Sequence, residues 1–356
     1  MNNTFKHRFN PFIRDKSVYY VTLLAIIFQW SLYLFNNEVQ FTLSLYRGTF
    51  LVSLVLSACL MFLGYFFFIL FKKSKRPLKE LLEYVLIPIK EWHETLNFIA
   101  LTLSISIVAS IYTSVKSSIP LFVPFYLDPI LYNMDQFIFF GNTPWELTHI
   151  IFSTPESTAF LNLMYNLWFL VIWVFLTIFM VMTNLKIKRL QFIISFLLCW
   201  IVIGNISAII FSSVGPCFYG SYYVGHDPYE GLMNLLTHQD NILASEYGTL
   251  RVWSLPIQDL LWESYVNKTN DLGLGISALP SMHVSITAII SIALYSINKK
   301  LGAVAWIYTC IIMIASVHLG WHYAVDSALA LVLTTAIWFF VKNVLLNESD
   351  KKKPLS

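Results

Sequence analysis

Apolar residues run in long blocks along this chain, and polar residues gather in the gaps. Eight blocks are long enough to cross a bilayer, which takes roughly 17–25 residues as a helix. They fall at about 18–35, 49–71, 97–114, 158–183, 190–211, 280–297, 301–318 and 324–341. Between 77 and 92 the pattern changes. Leu78, Leu81, Leu82, Val85 and Ile89 recur at helical spacing with Lys and Glu between them. That reads either as a helix lying on the membrane surface or as a plain connecting helix. The stretch 115–157 is apolar but broken by Pro120, Pro124, Pro129 and Pro144, which predicts short interfacial or re-entrant helices. The stretch 212–279 is polar, with Gly, Asp, Asn and Tyr enriched. The fold class expected is all-α: a polytopic membrane protein of about eight transmembrane helices.

Composition strengthens that reading. The chain is 57% hydrophobic and only 12% charged, whereas a soluble domain carries about 25% charged residues. A net charge of +3 is too small and too dispersed to imply a nucleic-acid partner. Its distribution is more informative. With the N-terminus in the cytoplasm and eight alternating spans, the cytoplasmic pieces hold every Lys and Arg except Arg47, Lys116, Arg251 and Lys268. They include the Lys72-Lys73-Ser74-Lys75-Arg76 run and Lys351-Lys352-Lys353. That asymmetry is the positive-inside pattern. The first block follows a basic leader without a small-residue cleavage site, so it is expected to be retained. Cys59, Cys199 and Cys310 fall inside spans and leave Cys217 alone on the other side, so no disulfide between outer loops is expected. Asn267-Lys268-Thr269 fits a glycosylation acceptor, relevant only in a secretory-pathway host.

Candidate chemistry gathers on the expected outer face. His149, His226, His238, His283, His318 and His322 all fall there or at an outer span end. Histidine moves protons readily near neutral pH, and ionisable residues at membrane depth are functional candidates. His322 and Asp326 are four apart, a spacing that puts both on one face of a helix. A carboxylate on one imidazole nitrogen leaves the other free to attack or to accept a proton. The plainer alternative is a pair that caps a helix. Upstream, Pro280-Ser281-Met282-His283 stands where the polar stretch enters the sixth block. Pro280 suits a first helical turn. The helix N-terminus, with the Ser281 hydroxyl, suits a phosphate.

These motifs resemble the type 2 phosphatidic acid phosphatase superfamily. Its second motif, P-S-G-H, corresponds to Pro280-Ser281-Met282-His283. Its third, S-R-x(5)-H-x(3)-D, keeps its spacing at His322 and Asp326. The resemblance implies a six-helix phosphatase-type core over spans three to eight (97–356), preceded by an N-terminal pair and surface helix (1–96). The departures are specific. In the first motif, K-x(6)-R-P, Ala208 and Gly215 replace the Lys and Arg while Pro216 remains. In the third, Ser316 replaces the Arg. This pattern resembles the inositol phosphorylceramide synthase branch, which moves a head-group phosphate between lipids. The segment from Asp128 to Trp145 also resembles that branch.

The resemblance implies roles. His322 is the nucleophile that becomes phosphohistidine, Asp326 orients it, and His283 is general acid and then base. Ser281, Pro216 and Ser316 fall at phosphate-binding motif positions. No metal or other cofactor is required. A site stripped of three cations suits a phosphodiester better than a monoester. Arg251 is the candidate replacement phosphate ligand, since its planar fork grips two oxygens; a solvated loop charge is the alternative. The expected substrate is a phospholipid or other lipid phosphate, with head-group transfer favoured over hydrolysis by a lipid-phosphate phosphatase. The expected location is a bacterial inner membrane with both termini cytoplasmic and the site facing the periplasm, or a Golgi-type membrane with a luminal site. Three competing readings remain. His318, His322 and Asp326 form a ladder able to bind zinc, although the family places an aromatic at the His318 position. A transporter would use the same residues as a proton relay, yet no repeat is visible. A structural membrane protein leaves the paired motifs unexplained.

Overall fold

The computed structural model describes residues 10–39, 41–269 and 273–346, with backbone alone for 344–346. The basic leader up to residue 9 and the final Lys run lie outside the described residues. Helices dominate, and no strand occurs among the described residues. The reason is physical: in lipid each helix satisfies its own backbone hydrogen bonds.

Seven helices are long and apolar enough to cross a membrane, which makes this an integral membrane protein. The first three are α1 (Lys16–Phe35), α2 (Arg47–Lys72) and α3 (Trp92–Phe122). Two short helices follow, α4 (Asp128–Ile138) and α5 (Pro144–Ile151). The proline-broken stretch therefore does form short helices, but only after α3 has run on past its expected end, with Pro120 in its last turn. Next come α6 (Pro155–Val181) and α7 (Thr183–Ile210). The polar stretch is not a loose loop: it folds into α8 (Glu230–Tyr247) and α9 (Ser254–Val266). The bundle closes with α10 (Met282–Ile297), α11 (Lys299–His318) and α12 (Ala324–Phe340). Between α2 and α3, the expected helix over 77–92 forms as two short helical pieces, Pro77–Val85 and Ile87–Lys90, which bury no residue.

The expected span missing from these seven is the sixth, α10, and it is the short one. Its 16 residues rise about 24 Å, less than the roughly 30 Å hydrocarbon core. It packs against α7, α11 and α12, and most of its length is buried. Surrounded by protein, it has little lipid to match. Its start also differs from the expectation. Ser281 is the N-cap, so Pro280 precedes the helix instead of opening its first turn.

The centre of the bundle is α3, α7 and α10, whereas α2 stands at the edge. Only 11% of the α2 membrane window is buried, against 67% for α7. At one end of the bundle a charged cluster ties the first helix to the core. Asp15 accepts from Arg189 at 2.6 Å and 3.0 Å, from Arg14 at 3.1 Å and from Asn97 at 2.6 Å. Asp15 and Arg189 are almost wholly buried. Arg14 also pairs with Glu94. The histidines expected to do chemistry lie at the other end.

Candidate active site

The third motif is built around a helix start. Gly320 adopts φ +74°, which lets the chain turn sharply after α11. The Trp321 and His322 N–H groups both donate to the Ser316 carbonyl, at 2.9 Å and 3.2 Å. His322 therefore precedes α12, and Tyr323 is the N-cap. Asp326, in the first turn, reaches back. Its Oδ2 lies 3.2 Å from His322 Nδ1 and accepts the Tyr323 N–H at 3.0 Å. The four-residue spacing works through a cap, not along a helical face. The cap and the histidine–carboxylate pair are thus one structure.

His283 sits in the first turn of α10. Its Nδ1 is 3.1 Å from the Tyr165 hydroxyl, and its ring stacks on Tyr165 at 4.2 Å. Trp168 also packs against the ring, tilted at 4.2 Å, and donates its indole N–H to the His283 carbonyl. The His283 and His322 ring centroids are 6.4 Å apart. Both rings have Nδ1 engaged, so both offer Nε2. Both line a cavity of about 270 Å³.

Two buried aspartates that carried no role in the sequence reading hold this end together. Asp128 accepts from the Val214 and Gly215 N–H groups and from the hydroxyls of Tyr323 and Tyr223, all within 3.0 Å. It joins the first-motif loop to the third motif. Asp135 accepts from the N–H groups of Ala324 and Val325, capping α12 from outside. Burial pushes both carboxyls up against these donors, Asp135 to about 6. Their only sequence signal was a pair of carboxylates inside an apolar, proline-broken stretch.

The other expected binding residues are placed as follows. Ser281 is fully buried, and its Oγ accepts the Val284 N–H at 3.4 Å as the α10 cap. Ser316 is buried and donates to the Met313 carbonyl at 2.8 Å. Pro216 opens a short helical turn after Gly215. Gly215 has φ +95°, and a Cβ there would lie 3.1 Å from Ala278 Cβ and 3.2 Å from the Trp321 carbonyl. A side chain at Gly215 would therefore crowd the Ala278 methyl, in the segment leading to the second motif, and the Trp321 carbonyl of the third motif. Arg251 grips Asp240 with bonds of 2.9, 3.0 and 2.5 Å and is 46% exposed. The bonds from Arg251 hold the Asp240 carboxyl below its ordinary value. Neither Arg251 nor Ser281 lines the cavity. The cation that does is Lys116, from α3.

The His318 ladder does not assemble. The His318 ring nitrogens lie 2.8 Å from Thr158 Oγ1 and 3.2 Å from Thr148 Oγ1, and the ring stacks on His149 at 3.6 Å. Among the described residues no three His, Cys, Asp or Glu converge as a metal site.

A helical membrane bundle with a histidine–aspartate pair facing a second histidine across a cavity defines a membrane-embedded protein with phosphate-ester chemistry within its reach. The match to known families agrees. The family model described as the PAP2 superfamily matches residues 129–340, and the chain belongs to that superfamily. Membership supports a lipid phosphatase or phosphotransferase type of function. No curated protein and no solved structure matches the chain.

Proposed function

We propose that the protein transfers a phosphate-bearing head group from a phospholipid diester to a hydroxyl acceptor, through a phosphohistidine at His322. The observation that carries this reading is the pairing of His322 and His283. Each has Nδ1 held by a neighbour, Asp326 or Tyr165, each lines the same cavity, and their ring centroids are 6.4 Å apart.

The steps balance as follows. His322 Nε2 attacks phosphorus, a P–N bond forms, and the P–O bond to the diacylglycerol oxygen breaks. Protonated His283 gives its Nε2 proton to that oxygen, while its Nδ1–H donates to the Tyr165 hydroxyl. Asp326 stabilises the positive charge arising on His322. In the second half an acceptor hydroxyl attacks phosphorus and gives its proton to His283 Nε2, and the P–N bond breaks. Catalysis then rests on positioning and fixed donors. The absence of the three motif cations, at Ala208, Gly215 and Ser316, supports a diester substrate over the more highly charged monoester. The Lys and Arg distribution supports a site facing the periplasm or a lumen.

The test uses purified protein with ³²P-labelled phospholipid diesters (phosphatidylinositol, phosphatidylglycerol and phosphatidylethanolamine) and, separately, labelled phosphatidic acid. Wild type is expected to take acid-labile label from a diester and pass it to a hydroxyl acceptor. His322→Ala takes none. Label released only as free phosphate from phosphatidic acid would make the protein a phosphatase. No label on the wild type from any lipid would overturn the phosphohistidine reading.

A further inference from the structure

The cavity that reaches both histidines also reaches far from them. At its catalytic end it is lined by His283, His322 and Lys116. It then continues along α3 past Ala109 and Ser106 to Ile105. Eleven residues of helix separate Lys116 from Ile105, a rise of about 16 Å. Facing these are Ser53 of α2 and Trp173 of α6. Small side chains on α2 and α3 leave the space, and the aromatic and aliphatic face of α6 closes it. Along this length the walls are overwhelmingly apolar.

The polar end has its own construction. Lys116 Nζ lies 5.8 Å from the centroid of the Tyr112 ring. Tyr112 in turn packs where Gly204 leaves room: a Cβ at Gly204 would fall within 2.8 Å of that ring and 3.2 Å from Met282 Sδ. Met282 is the residue before His283. The strand of chain leading to His283 is also laid on Lys116. Gly275, at φ +95°, approaches so closely that a Cβ would lie 2.8 Å from Ser117 N and 3.0 Å from Lys116 C. Two glycines thus allow Lys116 to be packed against the second motif. Among the described residues no carboxylate pairs with Lys116. An ammonium lining a largely apolar cavity without a counter-charge is costly, and an anionic ligand removes that cost.

Resting on the phosphotransfer reading above, we infer that Lys116 holds the substrate phosphate in place of the missing motif cations, and that the slot beneath it, between α2, α3 and α6, takes a hydrocarbon chain of the same lipid. The substrate class is then a singly charged phosphodiester lipid. One cation meets one negative charge, and the chain runs down from it into the membrane. Lys116 and the α2 and α3 walls all precede residue 129, where the family match begins. Lys116 and the α2 and α3 side of the slot thus lie outside the stretch the family model matches, and the α6 side lies within it. Because α2 is the least buried of the spans, the slot lies beside the lipid phase from which a chain enters.

Wild type, Lys116→Gln, Lys116→Arg, Ser53→Trp and Ala109→Trp are compared on the ³²P diester that labels best, in long-chain and short-chain forms. Lys116→Gln is expected to raise KM about 10- to 100-fold, the scale of a lost charge-assisted hydrogen bond. Lys116→Arg recovers most of that loss, which a packing defect would not. Each tryptophan lowers the long-chain to short-chain ratio of kcat/KM by about tenfold, comparable to losing roughly two buried methylenes. A wild-type KM in Lys116→Gln overturns the phosphate assignment. Tryptophan variants that leave the chain-length ratio at the wild-type value overturn the slot. Either result can occur while His322 still takes label, so the phosphohistidine reading is judged separately by the wild-type label.

Discussion

Two buried carboxylates stand at opposite ends of this bundle, and they differ in what surrounds them. Asp15 is closed. Two arginines and an asparagine saturate it, and burial, which raises its pKa, is outweighed by the Arg189 and Arg14 bonds that hold it below its ordinary value. Asp326 is open-ended. Its Oδ2 holds His322 Nδ1 and the Tyr323 N–H, its Oδ1 has no hydrogen-bond partner among the described residues, and His322 lines a cavity. Asp15 fastens α1 to α3 and α7; Asp326 holds a histidine that borders a cavity. Burial of charge alone does not mark a site.

The comparison breaks most sharply at His322. His322→Ala is expected to abolish turnover in protein that still inserts and elutes as wild type. Full activity in that variant would falsify the assignment. At the closed end the loss is of stability. Arg189→Met leaves Asp15 buried with fewer partners, at a cost of about 3–5 kcal/mol. Chemical or thermal unfolding in detergent reads that loss, while His322 in the surviving folded fraction still takes label. Destabilisation below about 1 kcal/mol would mean that water reaches Asp15 freely. His283→Ala is expected to lower kcat about 100-fold or more, the usual contribution of a general acid–base group.

A smaller effect separates support from chemistry. Asp135 has its carboxyl pushed up to about 6 by burial. A raised carboxyl pKa means that its stabilising contribution is full below the unfolded value near 4. That contribution is lost as pH rises through about 6. Melting temperatures of the wild type should therefore fall relative to Asp135→Asn between about pH 4 and 6.5. Parallel profiles would show that Asp135 does not titrate there. Arg251→Ala should do least. Its exposed pair with Asp240 contributes about 0–1 kcal/mol, and kcat/KM should stay within about twofold of wild type.

Much of this protein was legible in its sequence. Lipid leaves the backbone little choice, so apolar blocks of sufficient length give helices, and seven of them are long enough to span. The pairing of His322 with Asp326 was legible because four residues cover one turn, although a cap makes the contact and not a helical face. The motif that carries His283 was legible because it is local, and His283 lines the same cavity as His322. Selection of the cavity's cation was not. Arg251 was the apparent choice among four outer cations, yet Asp240 is eleven residues away and claims it. Lys116 enters the cavity because Gly204 and Gly275 let Tyr112 and the second-motif loop approach α3. Asp128 and Asp135 act through hydrogen bonds to residues far along the chain, at Gly215 and Ala324. Spacing along one helix is written in the order of residues. Which distant helices share a cavity is decided by packing, because each close approach depends on the volumes of side chains from several segments at once.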